Sequence, residues 1–178
     1  MTSTTLDPDV AREERRAEIL REAATMILYV SVIEIAELFS LPEEHFDHGR
    51  VTGPVGTTLL AIIWGTAVGL AIAHWFAFRV AAPGFRGERP SKHDAQIGLA
   101  QLAGATFVAT VSSIPVLLFS DVRAQETVGD VPALIIGVIA FFVARAAGKP
   151  RLPAAFYGVT AAVLGVLVAV VKSILAAH

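Results

Sequence analysis

The chain has 178 residues, of which 54% are hydrophobic and only 17% are charged, and its formal net charge at pH 7 is −2. About a quarter of the residues of a soluble domain are charged, so this composition is typical of a membrane protein. The absence of cysteine excludes disulfides, thiolate metal sites and iron–sulfur clusters. The small negative charge leaves no basic stripe for nucleic acid, and we expect no nucleic-acid partner.

Residues 1–22 are polar and predict a charged, amphipathic helix on the cytoplasmic side of the membrane. Asp7-Pro8-Asp9 is typical of a helix start, because Asp is a good N-cap and Pro is favoured at the first helical position. Acidic residues occur throughout this segment, which is not typical of a secretory signal peptide. The remainder, residues 23–178, is predicted to form a transmembrane domain.

Five apolar segments follow, separated by short polar loops. A helix needs about 20 apolar residues to cross a hydrocarbon core about 30 Å thick, since each residue adds about 1.5 Å. The sequence therefore predicts an all-α integral membrane helical bundle with five transmembrane helices. The predicted spans cover about residues 23–41, 55–82, 95–119, 131–147 and 153–175.

Proline and glycine mark the predicted ends of these spans. Pro42 is expected to end the first span, and Pro83-Gly84 the second, because proline lacks the backbone N–H that a helix interior needs. Gly148–Arg151 predicts a tight basic turn between the last two spans. Pro115 lies inside the third span, where neighbouring groups can satisfy the carbonyl that it frees.

The basic residues predict the orientation, because cytoplasmic loops are enriched in Lys and Arg. If the N-terminus of the five-span protein is cytoplasmic, only Arg50, Arg123 and Lys172 lie on the outer side. The other eleven of the fourteen basic residues then lie inside: Arg12, Arg15, Arg16, Arg21, Arg79, Arg86, Arg89, Lys92, Arg145, Lys149 and Arg151. The alternative to five spans is a four-span protein in which residues 9–41 form an interfacial helix.

Two acids in the first span, Glu34 and Glu37, are three residues apart and share one side of the predicted helix. A carboxylate near the bilayer centre costs about 2.5–3.5 kcal/mol, so these side chains are expected to avoid lipid. They predict a binding site for a proton or an inorganic cation, and repulsion between like charges favours one protonated acid. One alternative is a buried structural pair of acids, one protonated and hydrogen-bonded to other helices or paired with Lys172, the one base in the same layer. In another, Glu37 extends to the outer interface.

Other polar residues of the spans are candidates for the same path. His74 in the second span either relays protons or bonds to a neighbouring helix. In the third span, Thr106, Thr110 and Ser113 recur at i, i+4 and i+7. This stripe is expected either to line a polar path or to hold helices together. His93-Asp94, at the start of the third span, is interpreted as a helix N-cap, with Asp94 at the positive end of the helix dipole.

Small residues at helix-packing spacing predict close helix contacts, within one chain or between subunits. Since five helices enclose little volume, transport would favour a homo-oligomer, and another membrane protein is an alternative partner. The small residues are Gly65, Gly69 and Ala73 in the second span and Gly158, Ala161, Gly165 and Ala169 in the fifth.

The first outer loop contains His45, Asp47 and His48. Imidazole and carboxylate groups at this spacing predict a divalent metal site, such as one for zinc, although such short loops also occur without a metal. The chain has no Walker loop, nucleotide fingerprint, nucleophile elbow or HExxH motif. We therefore expect no cofactor and no enzymatic activity.

Three runs of the sequence carry a resemblance to uncharacterised small multi-span integral membrane proteins of actinobacteria. They are Val32–Leu38 (VIEIAEL), Gly69–Arg79 (GLAIAHWFAFR) and the closing Ala169–Lys172 (AVVK). The resemblance covers most of the chain and implies a multi-pass membrane fold. It implies no particular activity.

From these features we expect a small transport or channel protein of the bacterial plasma membrane. Its intramembrane carboxylates are expected to bind a proton or an inorganic cation. An abundance of Ala, Val, Gly and Arg favours a bacterial source. The alternative functions are a non-catalytic membrane interaction or accessory module and a metal-binding membrane protein. The lipid bilayer is the one partner that every alternative shares.

Overall fold

The computed structural model describes residues 8–41, 45–47, 50–52, 54–86, 92–119, 124 and 127–176. Within these ranges the fold is all-α apart from one short hairpin, as predicted for the fold class. The hairpin pairs β1 (His45–Asp47) with β2 (Arg50–Thr52) in antiparallel register. The five helices are α1 (Pro8–Leu38), α2 (Thr57–Arg86), α3 (Lys92–Leu118), α4 (Asp130–Ala146) and α5 (Arg151–Ala176).

Helix α1 joins the predicted N-terminal helix and the predicted first span into one continuous helix of 31 residues. It begins at Pro8, as predicted, and ends at Leu38, before Pro42, which lies outside the described residues. At about 1.5 Å per residue it is about 46 Å long, which exceeds the thickness of a hydrocarbon core. The exposed N-terminal part carries an ion pair of 3.2 Å between Asp9 and Arg12.

The prediction that Pro83-Gly84 ends the second helix is wrong. Helix α2 continues through both residues to Arg86. A proline near a helix end removes few hydrogen bonds, so the helix can tolerate it there. Helix α3 contains Pro115, as predicted. Helices α4 and α5 begin within two residues of their predicted starts.

The turn between α4 and α5 has the tight conformation that the sequence predicts. Gly148 has a φ of +79°, which favours glycine because a side chain there would be strained. The Gly148 N–H donates to the Arg145 carbonyl, and the Lys149 N–H donates to the Ala144 carbonyl. This pair of bonds is the Schellman ending of a helix. The Lys149 ammonium also lies 4.8 Å from the centre of the Tyr157 ring.

Helix α1 lies at the centre of the bundle, because it packs against each of the other four helices. One apolar cluster joins it to α2 and α3 and includes Val30, Ile63 and Val108, which are fully buried. A second cluster joins it to α4 and α5 through Ile35 and Ile136. The apolar residues of α1 therefore occupy several sides of the helix, and its polar residues lie between them.

Contacts along the helices establish their directions. Glu18 of α1 bonds to His93 at the start of α3, and Glu34 lies beside Ser112 near its end, so α1 and α3 are parallel. Helix α2 is antiparallel to α3, since Trp64 in the first half of α2 bonds to Ser113 near the end of α3. These alternating directions are the ones that successive membrane crossings require.

Three helices of the described chain are long and apolar enough to cross a membrane, which indicates a membrane protein. They contain the segments Thr57–Ala77, Lys92–Leu118 and Arg151–Val171. The prediction of five such helices is therefore confirmed for three. Helix α4 has only 17 residues and is about 25 Å long. Residues 21–38 of α1 include four charged residues, Arg21, Glu22, Glu34 and Glu37.

The outer surfaces of the bundle are apolar. Large side chains on four different helices are mostly exposed, including Phe76 (63%), Leu117 (71%), Phe142 (61%) and Phe156 (76%). In water such a surface would be unfavourable by about 25 cal/mol per Å². In lipid this penalty disappears, so the exposed apolar band is expected to face the acyl chains.

Candidate ion site

Glu34 is buried in the middle of the bundle, on the central helix α1. Only 2% of the residue is exposed. Neither carboxyl oxygen makes a hydrogen bond to any residue that the structure describes. Burying an ionised carboxylate without a compensating partner is very unfavourable, so this side chain is expected to carry a proton or to bind a cation.

Two buried serines lie in the same part of the bundle as Glu34. Ser31 is one turn earlier on α1, and Ser112 of α3 is close enough to the Glu34 carboxyl to interact with it. Both serines are fully buried, and within the described ranges neither hydroxyl makes a hydrogen bond of normal geometry. We call Ser31, Glu34 and Ser112 the Glu34 cluster. Each hydroxyl can donate to a carboxylate or accept from a protonated acid, so the cluster can accommodate both states.

Glu37 lies one turn after Glu34 but has a different environment. It is partly exposed, and its carboxylate accepts a hydrogen bond from the hydroxyl of Thr66 on α2. Among the described side chains, Glu37 is also the charged group close enough to repel an ionised Glu34. The two acids therefore form a short series that leads from a partly exposed carboxylate to an enclosed one.

A further polar contact connects α2 and α3 at the same level of the bundle. The Trp64 indole N–H donates to the Ser113 hydroxyl at 3.1 Å. That hydroxyl in turn donates to the Ala109 carbonyl at 2.7 Å. Ser113 is thus fully bonded, whereas its neighbour Ser112 belongs to the Glu34 cluster.

Two polar contacts connect α1 and α3 nearer the N-terminus. His93 Nε2 lies 2.8 Å from Glu18 Oε2. The Gln101 amide donates to Glu22 Oε2 at 3.1 Å, and Gln101 is buried. The first contact shows that the His93 side chain bonds to α1, whereas Asp94 lies in the first turn of α3.

Several predicted site residues lie elsewhere on the bundle. His74 is exposed on the outer side of α2, and Thr106 and Thr110 are exposed on α3. The Thr110 hydroxyl donates to the Thr106 carbonyl at 2.7 Å. A hydroxyl that bonds within its own helix can face lipid at little cost. The predicted stripe is therefore divided, because Ser113 is buried and the two threonines are not.

Other predicted residues cannot be placed in a site. Lys172 lies on α5, but its side chain is outside the described part of the chain, so its pairing with Glu34 or Glu37 stays a prediction. The metal site at His45, Asp47 and His48 also lies outside the described side chains. In the ranges that the structure describes, no three His, Asp or Glu residues are placed to hold a metal ion.

Three polar residues around the acids are not predicted from the sequence: Ser31, Thr66 and Ser112. Ser31 had a signal, since it precedes Glu34 by three residues and must share its side of the helix. Ser112 and Thr66 had none, because their proximity depends on how α3 and α2 pack against α1. Comparisons with protein-family models, curated proteins and solved structures find no match to this chain.

Proposed function

We propose that this protein is a small membrane transport or channel protein in which Glu34 binds a proton or an inorganic cation. The single observation that supports this function is the enclosed carboxyl of Glu34, with the Ser112 hydroxyl beside it and the buried Ser31 one turn earlier on α1. A carboxylate in a medium of low dielectric attracts a positive charge strongly. Intramembrane acids that face a bundle interior are typical of ion and proton pathways.

Reversible neutralisation of Glu34 is the chemical basis of the proposal. When the proton or cation is bound, the carboxyl carries no net charge and fits its apolar surroundings. When it leaves, the serine hydroxyls can turn to donate to the carboxylate, which offsets part of the cost of the buried charge. A site with two accessible charge states can accept an ion on one side and release it on the other.

We further propose that all five helices cross a bacterial plasma membrane, with the N-terminus in the cytoplasm. The acids of α1 contact α2 and α3, so this helix can enter the bilayer without exposing them to lipid. Helix α4 is about 25 Å long, and Arg145 at its end can extend towards the interface. The excess of basic residues on one side supports the orientation.

The proposal is tested by measuring flux into liposomes that contain the full chain. Glu34→Gln keeps the size of the side chain but cannot bind a proton or attract a cation, so flux should fall to the level of protein-free liposomes. Glu14→Gln is the matched control, since Glu14 is exposed on the charged part of α1 and should leave flux unchanged. Unchanged flux of protons and of monovalent and divalent cations in Glu34→Gln would refute the proposal.

A second candidate function, a membrane interaction module, is favoured by the outer side of α2. Gly65, Gly69 and Ala73 are exposed there. A methyl group at either glycine would meet no described atom within 4 Å. The ridge is therefore available for a second copy or another membrane protein. Gly69→Leu should abolish that association in cross-linking experiments, and retained flux in the same variant would separate the two functions.

A further inference from the structure

We propose that, in the conformation that the structure shows, the ion reaches Glu34 only from the Glu37 end of α1, through an entrance formed by Glu37 and Thr66, and that release to the other side takes place from a second conformation. This inference rests on the proposed function of Glu34, and it adds the route and the entrance residues. It predicts that the α1–α3 interface on the N-terminal side of Glu34 blocks ions. The entrance lies between α1 and α2, and the blocking contact lies between α1 and α3.

The entrance is polar and partly open. Glu37 and Thr66 are partly exposed, and they hydrogen-bond to each other across α1 and α2. Glu37 is one helical turn from Glu34, about 4.5 Å along the axis. A cation held at Glu37 is thus within one turn of the buried carboxyl. For a proton, transfer from Glu37 to Glu34 leaves Glu37 ionised, and solvent then restores its proton.

The blocking contact between α1 and α3 is apolar and tightly packed. Met26, Val30, Ala105 and Val108 are each at most 2% exposed and form one cluster between α1 and α3. No ionisable side chain projects into this cluster from the described parts of the two helices. An ion moving through it would lose its hydration without gaining new ligands, which is strongly unfavourable.

A close approach of α1 and α3 also blocks the passage of ions on this side of Glu34. A methyl group at Gly104 of α3 would lie 2.8 Å from the Ala23 carbonyl oxygen of α1. The two backbones are therefore in contact at this level, and little space remains for water. Beyond it, the Glu22 carboxylate already accepts a bond from Gln101, and nine residues separate Glu22 from Ser31. That distance is about 13.5 Å along the helix.

The neighbouring elements add no competing route in the part of the chain that is described. Helix α3 contributes Ser112 beside Glu34, and α2 contributes Thr66 beside Glu37. Helices α4 and α5 contact the same region of α1 with apolar residues, namely Ile136 and Ala169. Of the described polar groups around Glu34, Glu37 and Thr66 lie towards one end, and Ser31 lies one turn away on the other side, followed by the apolar cluster.

The absence of native cysteine allows a direct test. Ser112→Cys places one thiol beside Glu34 with little change in size. Ag⁺ reacts with thiols and is itself an inorganic cation, so its rate of reaction reports how fast a cation reaches the cluster. The full-length protein is treated with Ag⁺ in liposomes for increasing times and then unfolded. The thiols that remain unreacted are alkylated with a maleimide and counted by mass spectrometry.

Two matched second substitutions then distinguish the two ends. Glu37→Leu should slow the Ag⁺ reaction about tenfold or more, because it replaces an attracting charge at the entrance by an apolar side chain. Glu22→Leu removes the same charge from the opposite end and should leave the rate unchanged. Equal melting temperatures of the two variants would establish that both are folded.

Three results would overturn the inference. They are a slower reaction in Glu22→Leu, an unchanged rate in Glu37→Leu, and no reaction of the folded Ser112→Cys protein with Ag⁺. These outcomes do not depend on flux, so they are distinct from a failure of the proposed function. If Ag⁺ reacts as expected but the protein shows no flux, the proposed route is supported and the proposed transport function is refuted.

Discussion

At the scale of single residues, Glu34 and Glu37 illustrate how environment separates two identical side chains. Glu34 is enclosed beside two serines, whereas Glu37 is partly exposed and bonded to Thr66. The spacing of the acids predicts that they share one side of α1, which is correct. It does not predict their different surroundings, because these depend on the crossing of α2 and α3 over α1.

Ser112 should weaken proton binding at Glu34, because its hydroxyl can stabilise the free carboxylate. Ser112→Ala removes this hydroxyl, and a hydrogen bond to a charged group contributes about 1.5–3 kcal/mol. We therefore expect the apparent proton affinity in the liposome flux assay to rise about tenfold or more. Ser113→Ala is the control on the neighbouring residue, because Ser113 bonds to Trp64 and Ala109 instead. An affinity equal to that of the wild type in Ser112→Ala would contradict the assignment of this serine.

At the scale of the helices, the sequence predicts where helices lie better than it predicts which sides they bury. The start of α1 at Pro8 and the tight turn at Gly148 follow from local chain geometry, so both could be predicted. The exposed position of Thr106 and Thr110 could not. Their hydroxyls bond within the helix or face outward, and the spacing of a polar stripe does not specify its partner.

The close approach of α1 and α3 should depend on Gly104. Gly104→Ala places a methyl group 2.8 Å from a backbone oxygen, which must move. Overpacking of this kind costs about 1–3 kcal/mol, so the melting temperature in detergent should fall. Gly98→Ala on the same helix is the control, since its methyl group would lie 3.7 Å from the Trp75 ring, an ordinary contact. Equal melting temperatures for the two variants would refute the close helix contact.

At the scale of the whole molecule, the central position of α1 and the short length of α4 explain why length and composition identify three of the five predicted spans. A central helix can carry acids because other helices cover them, so its average apolarity is low. Helix α4 is apolar but has only 17 residues. Helices α2, α3 and α5 are both long and apolar.

The number of spans can be tested by the positions of the two chain ends. Five crossings place the termini on opposite sides of the membrane, whereas the four-span alternative places them on the same side. Single cysteines at Ser3 and His178 are the only thiols in each variant. In intact cells, a membrane-impermeant maleimide should label His178→Cys and not Ser3→Cys. Equal labelling of both would contradict the five-span arrangement.

Transport through Glu34 requires that this side chain gains and loses a positive charge inside the bundle. Infrared difference spectroscopy of the protein in lipid, recorded as pH or cation concentration changes, measures this directly through the carboxyl stretching bands. We predict a carboxyl signal that is present in the wild type and in Glu14→Gln and absent from Glu34→Gln. Identical difference spectra for the wild type and Glu34→Gln would contradict the claim.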